Sequence, residues 1–337
     1  MNRKLVNIVL IVLALAIVVI IGKDFIGKKA GKNIENPYEY NVDEFRKVDS
    51  TRILYTEKLH FPVKVHYWAG ITVSDSTIIV ASANHLLKFD YLGKQIFSKE
   101  LIDTATCVTV DRNRQIWIGM RHYVVMYDQN GTLVKRWNSF GDRAVFTSVT
   151  VSGENVYVAD AGNRIVYQCN TNGQIIQKIG EKDEQKGIPG FIIPSPYFDV
   201  ATDDNGILWA ANTGRHTFEN YNKDGSLRTS WGVTSMKIEG FSGCCNPAHF
   251  AILNDNSFIT SEKGMPRIKI YDQHGQFIGI VAPPAAFSGS LAPDIAVDQQ
   301  QRVIALDFER QQVRIFEKKI GNWNQETGKG KQEKEGN

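Results

Sequence analysis

The chain has 337 residues, 42% of them hydrophobic, and a formal net charge of +3. It therefore has enough apolar residues for a sizeable core and is not a disordered chain. With no basic face interleaved with aromatics, nucleic acid is excluded as an expected partner.

At the N-terminus, Arg3 and Lys4 precede the apolar run Leu5–Ile21, broken only by Asn7. Seventeen helical residues span about 26 Å, close to a hydrocarbon core. No small-residue cleavage site follows. Residues 1–22 therefore read as an uncleaved signal anchor, one transmembrane helix holding an extracytoplasmic domain at a membrane. Residues 23–50 read as a polar linker, and residues 320–337 as a disordered tail.

Between these ends a unit repeats. Phe250–Ala282 reads as four short strands: Phe250–Leu253, Phe258–Ser261, Arg267–Tyr271 and Gln276–Val281, separated by polar turns. An aromatic followed four places on by glycine recurs as Phe89…Gly93, Tyr127…Gly131, Tyr221…Gly225 and Tyr271…Gly275, with Cys169…Gly173 as a variant and Phe316 opening a last copy. The anchors lie 38, 42, 52, 50 and 45 residues apart, the length of a four-stranded propeller blade. The last copy lacks a fourth strand, which Arg52–Phe61 can supply beside Val313–Phe316. The expected fold is all-β, a six-bladed β-propeller over residues 51–319 closed by strand 52–61.

Tyr157–Ile165 (YVADAGNRI), Leu208–His216 (LWAANTGRH) and the linker Gly187–Pro194 resemble NHL repeats, over roughly Arg52–Lys318. The resemblance implies a propeller; because such propellers serve as both scaffolds and enzymes, it implies no single function.

Strand alternation puts the first–second and third–fourth turns on one face, and these are short. The other face carries the long insertions Gly180–Pro196, Gly232–Pro247 and Ala282–Pro293, where binding is expected. Two rings of equivalent positions lie on that face. Gly70, Cys107, Ser148, Asp199, His249 and Asp294 precede the innermost strands. Ser82, Met120, Asp160, Asn212, Glu262 and Asp307 end the second strands.

Asp199, His249 and Asp294 could converge at the channel mouth and hold Ca or Zn; alternatively, each Asp bonds backbone N–H groups of the neighbouring blade. Asn212, Arg215, His216, Glu262, Lys263, Arg267, Asp307 and Arg310 are candidate ligand-binding residues, and His249, Arg215 and Arg267 candidate catalytic ones. Trp231, Phe241, Phe287 and Phe308 could line a pocket. The adjacent Cys244 and Cys245 suggest a vicinal disulfide, or a redox or thiolate–metal role. No GxSxG, P-loop, HExxH or CxxCH motif is present, against the commonest hydrolase and nucleotide chemistries.

The first functional expectation is a ligand- or partner-binding propeller using its long-loop face. The alternative is a metal-dependent lyase or lactonase-like hydrolase, and the third a thiol function at Cys244–Cys245.

Overall fold

A computed structural model describes residues 7, 11–19, 42–64, 69–185 and 188–319. The expected tail at 320–337, most of the linker and Gly187 lie outside the described residues. Of the expected membrane helix, residues 7 and 11–19 are described; they are helical and exposed. Among the described residues no helix is long and apolar enough to cross a membrane, which overturns the expected transmembrane helix.

In the second compact unit, from Asp43 on, a short helix leads into twenty-two strands. Strand β1 is Tyr55–Pro62. Next come β2 (Ala69–Ser74), β3 (Thr77–Asp90), β4 (Gln95–Val110), β5 (Ile116–Met120), β6 (Val124–Tyr127) and β7 (Leu133–Arg136), in one sheet. A second sheet holds β8 (Phe146–Ser152), β9 (Asn155–Asp160), β10 (Ile165–Asn170) and β11 (Ile175–Ile179). A third holds β12 (Val200–Thr202), β13 (Leu208–Asn212), β14 (Thr217–Tyr221) and β15 (Leu227–Trp231). A fourth holds β16 (His249–Ile252), β17 (Phe258–Glu262), β18 (Arg267–Tyr271) and β19 (Phe277–Ala282). The fifth is β20 (Asp294–Val297), β21 (Val303–Asp307) and β22 (Gln312–Lys318), with β1 antiparallel to β22.

The fold is an all-β propeller of five blades, which corrects the expectation of six. The residues expected to form the first two blades share one six-stranded sheet. The later blades break between their second and third strands at loops such as Asn212–His216 and Glu262–Pro266. The stretch Ser82-Ala83-Asn84-His85 has no Gly or Pro to stop the ladder, so β3 runs on for 14 residues, with Ala83 at φ 49° taking up the bend. β4 likewise runs for 16 residues, pairing first with β3 and then with β5. This sheet consequently gives two strands, β2 and β4, to the central channel. The channel is lined by Ile71–Val73, Thr106–Val110, Thr147–Thr150, Asp199–Thr202, His249–Ile252 and Asp294–Val297.

The repeating glycine has a double cause. In the third–fourth turn of each repeat it donates its N–H to the residue three before it, as Gly93 does to Asp90 and Gly275 to Asp272. Its φ is near +80°, at +83° for both, and the strand beside it bulges. An added Cβ would also strike an aromatic ring of an adjacent outer strand: Phe61 at 2.6 Å from Gly93, Trp137 at 2.6 Å from Gly173, Trp231 at 2.6 Å from Gly275. Between the blades, alternating apolar residues form a series of buried clusters.

Candidate functional site

The inner strands bring Asp199, His249 and Asp294 together at the mouth of the channel, a cavity of about 300 Å³. His249 Nδ1 lies 3.4 Å from Asp294 Oδ1 and 4.0 Å from Asp199 Oδ2. Each Asp immediately precedes or begins an inner strand, so its carboxylate can reach across to the next blade. Asp199 Oδ2 accepts from Phe250 N (2.8 Å) and Oδ1 from Val200 N (2.9 Å). Asp294 Oδ2 accepts from Ile71 N (2.8 Å) and Oδ1 from Ile295 N (2.9 Å).

Every carboxylate oxygen thus has a backbone donor, and the two residues tie neighbouring inner strands together. That donor set does not suit a cation. Among the described residues no group of three or more His, Cys, Asp or Glu side chains could hold a metal ion. The expected Ca or Zn centre is overturned on this ground.

Burial sets the protonation of the triad. It pushes Asp199 up to about 6, with the His249 charge opposing. It pushes Asp294 up to about 7, against the pull of the Ile71 and Ile295 N–H groups. Burial lowers His249 below its ordinary value, partly offset by Asp199. The folded state therefore binds more protons at the carboxylates than the unfolded chain does between about pH 4 and 7. The stability these carboxylates contribute is full at low pH and lost as pH rises through that window. Asp294→Asn removes one such titration while leaving the rest. We expect wild type to lose a few kcal/mol relative to Asp294→Asn between pH 4 and 8, read as diverging urea midpoints. Parallel midpoints would show that Asp294 keeps an ordinary carboxyl.

The second ring of predicted positions is used internally. Asn212 is buried, accepting from Ile192 N at 2.9 Å and donating to Glu219 Oε1 at 2.8 Å. Glu262 is buried in an ion pair with Arg267 (2.9 Å) and Lys269 (2.7 Å). Asp307 pairs with the buried Arg314 at 3.1 Å. Asp160 Oδ1 accepts from Val145, Gly162 and Asn163 N–H groups. Asn212, Glu262, Arg267 and Asp307 are therefore buried and engaged with neighbouring side chains, whereas the sequence reading had them exposed on the long-loop face. Trp231 and Phe241 belong to the packed aromatic cluster around Phe218 and Phe258. Phe287 lies under the Arg314 guanidinium, and Phe308 packs on the core.

The remaining ligand-binding candidates keep some exposure. Arg215 and Arg310 are exposed, and Lys263 and His216 half-buried. His216 Nδ1 meets Asn246 O at 2.9 Å. Lys263 sits over the Tyr197 ring at 4.9 Å, and that ring stands edge-on to His249 at 5.6 Å. Ser195 Oγ donates to Cys245 Sγ at 2.8 Å. The Asn246 side chain accepts from Lys263 N (2.8 Å) and donates to Lys263 O (3.0 Å). Gly264 N donates to Ser290 O at 2.7 Å. Ser195 and Tyr197 were missed by the sequence reading. The clue was their position at the end of a long insertion directly before Asp199.

No family model matches the chain, and no curated protein matches it. Solved structures do. One is virginiamycin B lyase from Staphylococcus aureus, at 13% identity and TM-score 0.54, covering 78% of this chain and 99% of that one. Another is a protein of unknown function from Bacteroides thetaiotaomicron, at 12% identity and TM-score 0.55, covering 74% and 68%. A third is the WD40 propeller domain of Doa1, at 10% identity and TM-score 0.54, covering 74% and 79%. The chain is a β-propeller. At these identities the propeller likeness extends to the fold alone.

Proposed function

We propose that this propeller binds a small anionic ligand on its long-loop face, around the mouth marked by Tyr197, His249 and Lys263. One observation carries the reading: the long connections are tied to one another and to the β17–β18 loop around His249. Ser195 joins the first to the second through Cys245, Asn246 joins the second to Lys263, and Ser290 joins the third to Gly264. A surface so stitched is rigid before a ligand arrives, which reduces the ordering cost of binding. The Lys263 ammonium, with Arg215 and Arg310 exposed on loops of the same face, favours a carboxylate or phosphate ester. The blades are read as NHL-type on the strength of Tyr157–Ile165, in which Asp160 caps the turn through Gly162 and Asn163.

A thermal-shift screen of carboxylates and phosphate esters tests this. A ligand that raises the Tm of wild type is expected to lose roughly tenfold or more in affinity to Lys263→Met, the worth of one charge-assisted hydrogen bond. The unliganded Tm of that variant should stay close to wild type, because Lys263 is half-buried. Hits indifferent to Lys263→Met and Tyr197→Ala would place binding elsewhere.

A second reading is acid–base catalysis of the lyase or hydrolase type at Asp199, His249 and Asp294. It is favoured by a carboxyl that titrates near neutrality 3.4 Å from an imidazole kept neutral by burial. A similar fold carries a lyase in Staphylococcus aureus. Turnover of a hit that persists in His249→Ala would sink this reading.

A further inference from the structure

Cys244 and Cys245 form a second chemical centre beside the mouth. Both are free thiols, with sulfurs 3.1 Å apart. Cys244 is exposed, whereas Cys245 is fully buried. The Cys245 S–H donates to Cys244 Sγ, and Ser195 Oγ donates in turn to Cys245. The hydrogen bond from Cys245, and next the Lys263 charge, hold the Cys244 thiol below its ordinary value against the effect of burial. Burial pushes the Cys245 thiol the other way. The loop that carries the pair is braced by Asn246, whose side chain reaches Ser242 O and both backbone groups of Lys263. The remaining cysteines, Cys107 and Cys169, are buried, which pushes both thiols up to about 12. Thiol reactivity is thus concentrated at one exposed sulfur with a second sulfur behind it.

We propose that Cys244–Cys245 is a thiol–disulfide exchange site for low-molecular-weight disulfides, with Cys244 attacking and Cys245 resolving. The Cys244 thiolate forms a bond to one sulfur of the substrate and breaks the substrate S–S bond. The other substrate sulfur departs as a thiolate and takes a proton from solvent. Cys245 then gives up its proton to solvent, with the Ser195 hydroxyl stabilising the thiolate, and attacks Cys244 Sγ. The second substrate sulfur leaves as a thiol. The protein pair is oxidised by two electrons and the substrate disulfide is reduced by two. Adjacent residues hold their Cα atoms about 3.8 Å apart, below the usual disulfide range of roughly 4.4–6.8 Å. The vicinal disulfide is therefore strained and readily reduced by a small dithiol, which restores the resting pair.

The test is reaction of the full reduced chain with 5,5′-dithiobis(2-nitrobenzoate), followed by absorbance and intact mass. Wild type is expected to release two thionitrobenzoates in one fast phase, keep no adduct and end lighter by two hydrogen atoms. Cys245→Ser should release one and retain the other as a stable mixed disulfide. Cys244→Ser should lose the fast phase. Lys263→Met should slow it at neutral pH and move its pH midpoint upward, toward an ordinary thiol. A wild-type chain that retains one or two adducts would overturn the proposal, as would Cys244→Ser reacting as fast as wild type. The wild-type mass decides the matter even if Cys245→Ser does not fold.

Discussion

Glu262→Ala is expected to lower the stability of the propeller by about 3–5 kcal/mol, the cost of breaking a buried ion pair from one side. Among the described residues, Glu262 is the carboxylate that forms ion pairs with both of two buried cations. Its oxygens accept from Arg267 Nε at 3.0 Å and Nη2 at 2.9 Å, and it pairs with Lys269 Nζ at 2.7 Å. Gly240 O, from the long connection before β16, accepts from both cations, at 3.1 Å from Arg267 and 2.7 Å from Lys269. The Lys269 ammonium also faces the Phe241 and Tyr271 rings at 4.4 and 5.0 Å. Burial brings Lys269 down to about 8 despite Glu262. Without Glu262 two desolvated cations would stand together; Lys269 would shed its proton and Arg267 could not. Equilibrium urea unfolding checks the magnitude, and a loss below about 1 kcal/mol would show that water reaches the network. Because Gly240 O is the hinge of the same network, the Gly232–Pro247 connection should also become more sensitive to proteolysis in this variant.

The second large effect concerns ring closure. Arg314→Ala should cost about 2–4 kcal/mol, since it strips the partner from Asp307, whose side chain is only 3% exposed. Arg314 also pairs with Glu57 on β1, bonds Ala286 O at 2.8 Å, and lies over the Phe287 and Phe316 rings at 4.9 and 5.2 Å. It therefore joins β1, β21, β22 and the last long connection at one point. Burial alone would raise the Glu57 carboxyl, but Arg314, with His60 beside it, outweighs that and holds it below its ordinary value. The stability it contributes is present above the unfolded carboxyl value and is lost as pH falls through the folded one. Glu57→Gln should thus matter at pH 7 and matter progressively less as pH falls through the lowered Glu57 value. In the double variant with Arg314→Ala the two losses should not add, because both remove one interaction. Additive losses would mean that Glu57 contributes nothing through Arg314.

The propeller was legible because its period is carried by residues with one permitted role. A glycine held at positive φ in the turn, and at Gly93, Gly173 and Gly275 also pressed against an aromatic ring, is not readily exchanged for another residue, so it marks the repeats in the sequence. The convergence of Asp199, His249 and Asp294 could be read from that register for the same reason. What their oxygens do stayed open between holding a cation and bonding backbone N–H groups of the neighbouring blade, because Ile71, Phe250, Val200 and Ile295 contribute only backbone N–H groups, which every sequence has. Arg267 misled for a different reason. In RIKIY the alternation of charged and apolar residues describes a half-buried strand with its cations in water. Here the Gly232–Pro247 connection covers the polar face, and all five residues are buried. The absence of a break after Ser82 was visible in the composition of the segment. Its consequence, one ladder through two repeats, depended on how β3 and β4 bend together.

The pairing of β1 with β22 has a consequence for synthesis. Tyr55 lies opposite Lys318 and Pro62 opposite Gln312, so about 260 residues separate the making of the two strands. At roughly 5–20 residues per second, β1 waits on the order of ten to fifty seconds on the ribosome with both edges open. Its sequence suits that wait. Glu57, Lys58 and His60 interrupt the apolar residues, and Pro62 removes a donor from its end, features that discourage pairing with another nascent chain. The strand is polar enough to stay single until Arg314 arrives to neutralise Glu57, and the ring is sealed by the last strand of the propeller.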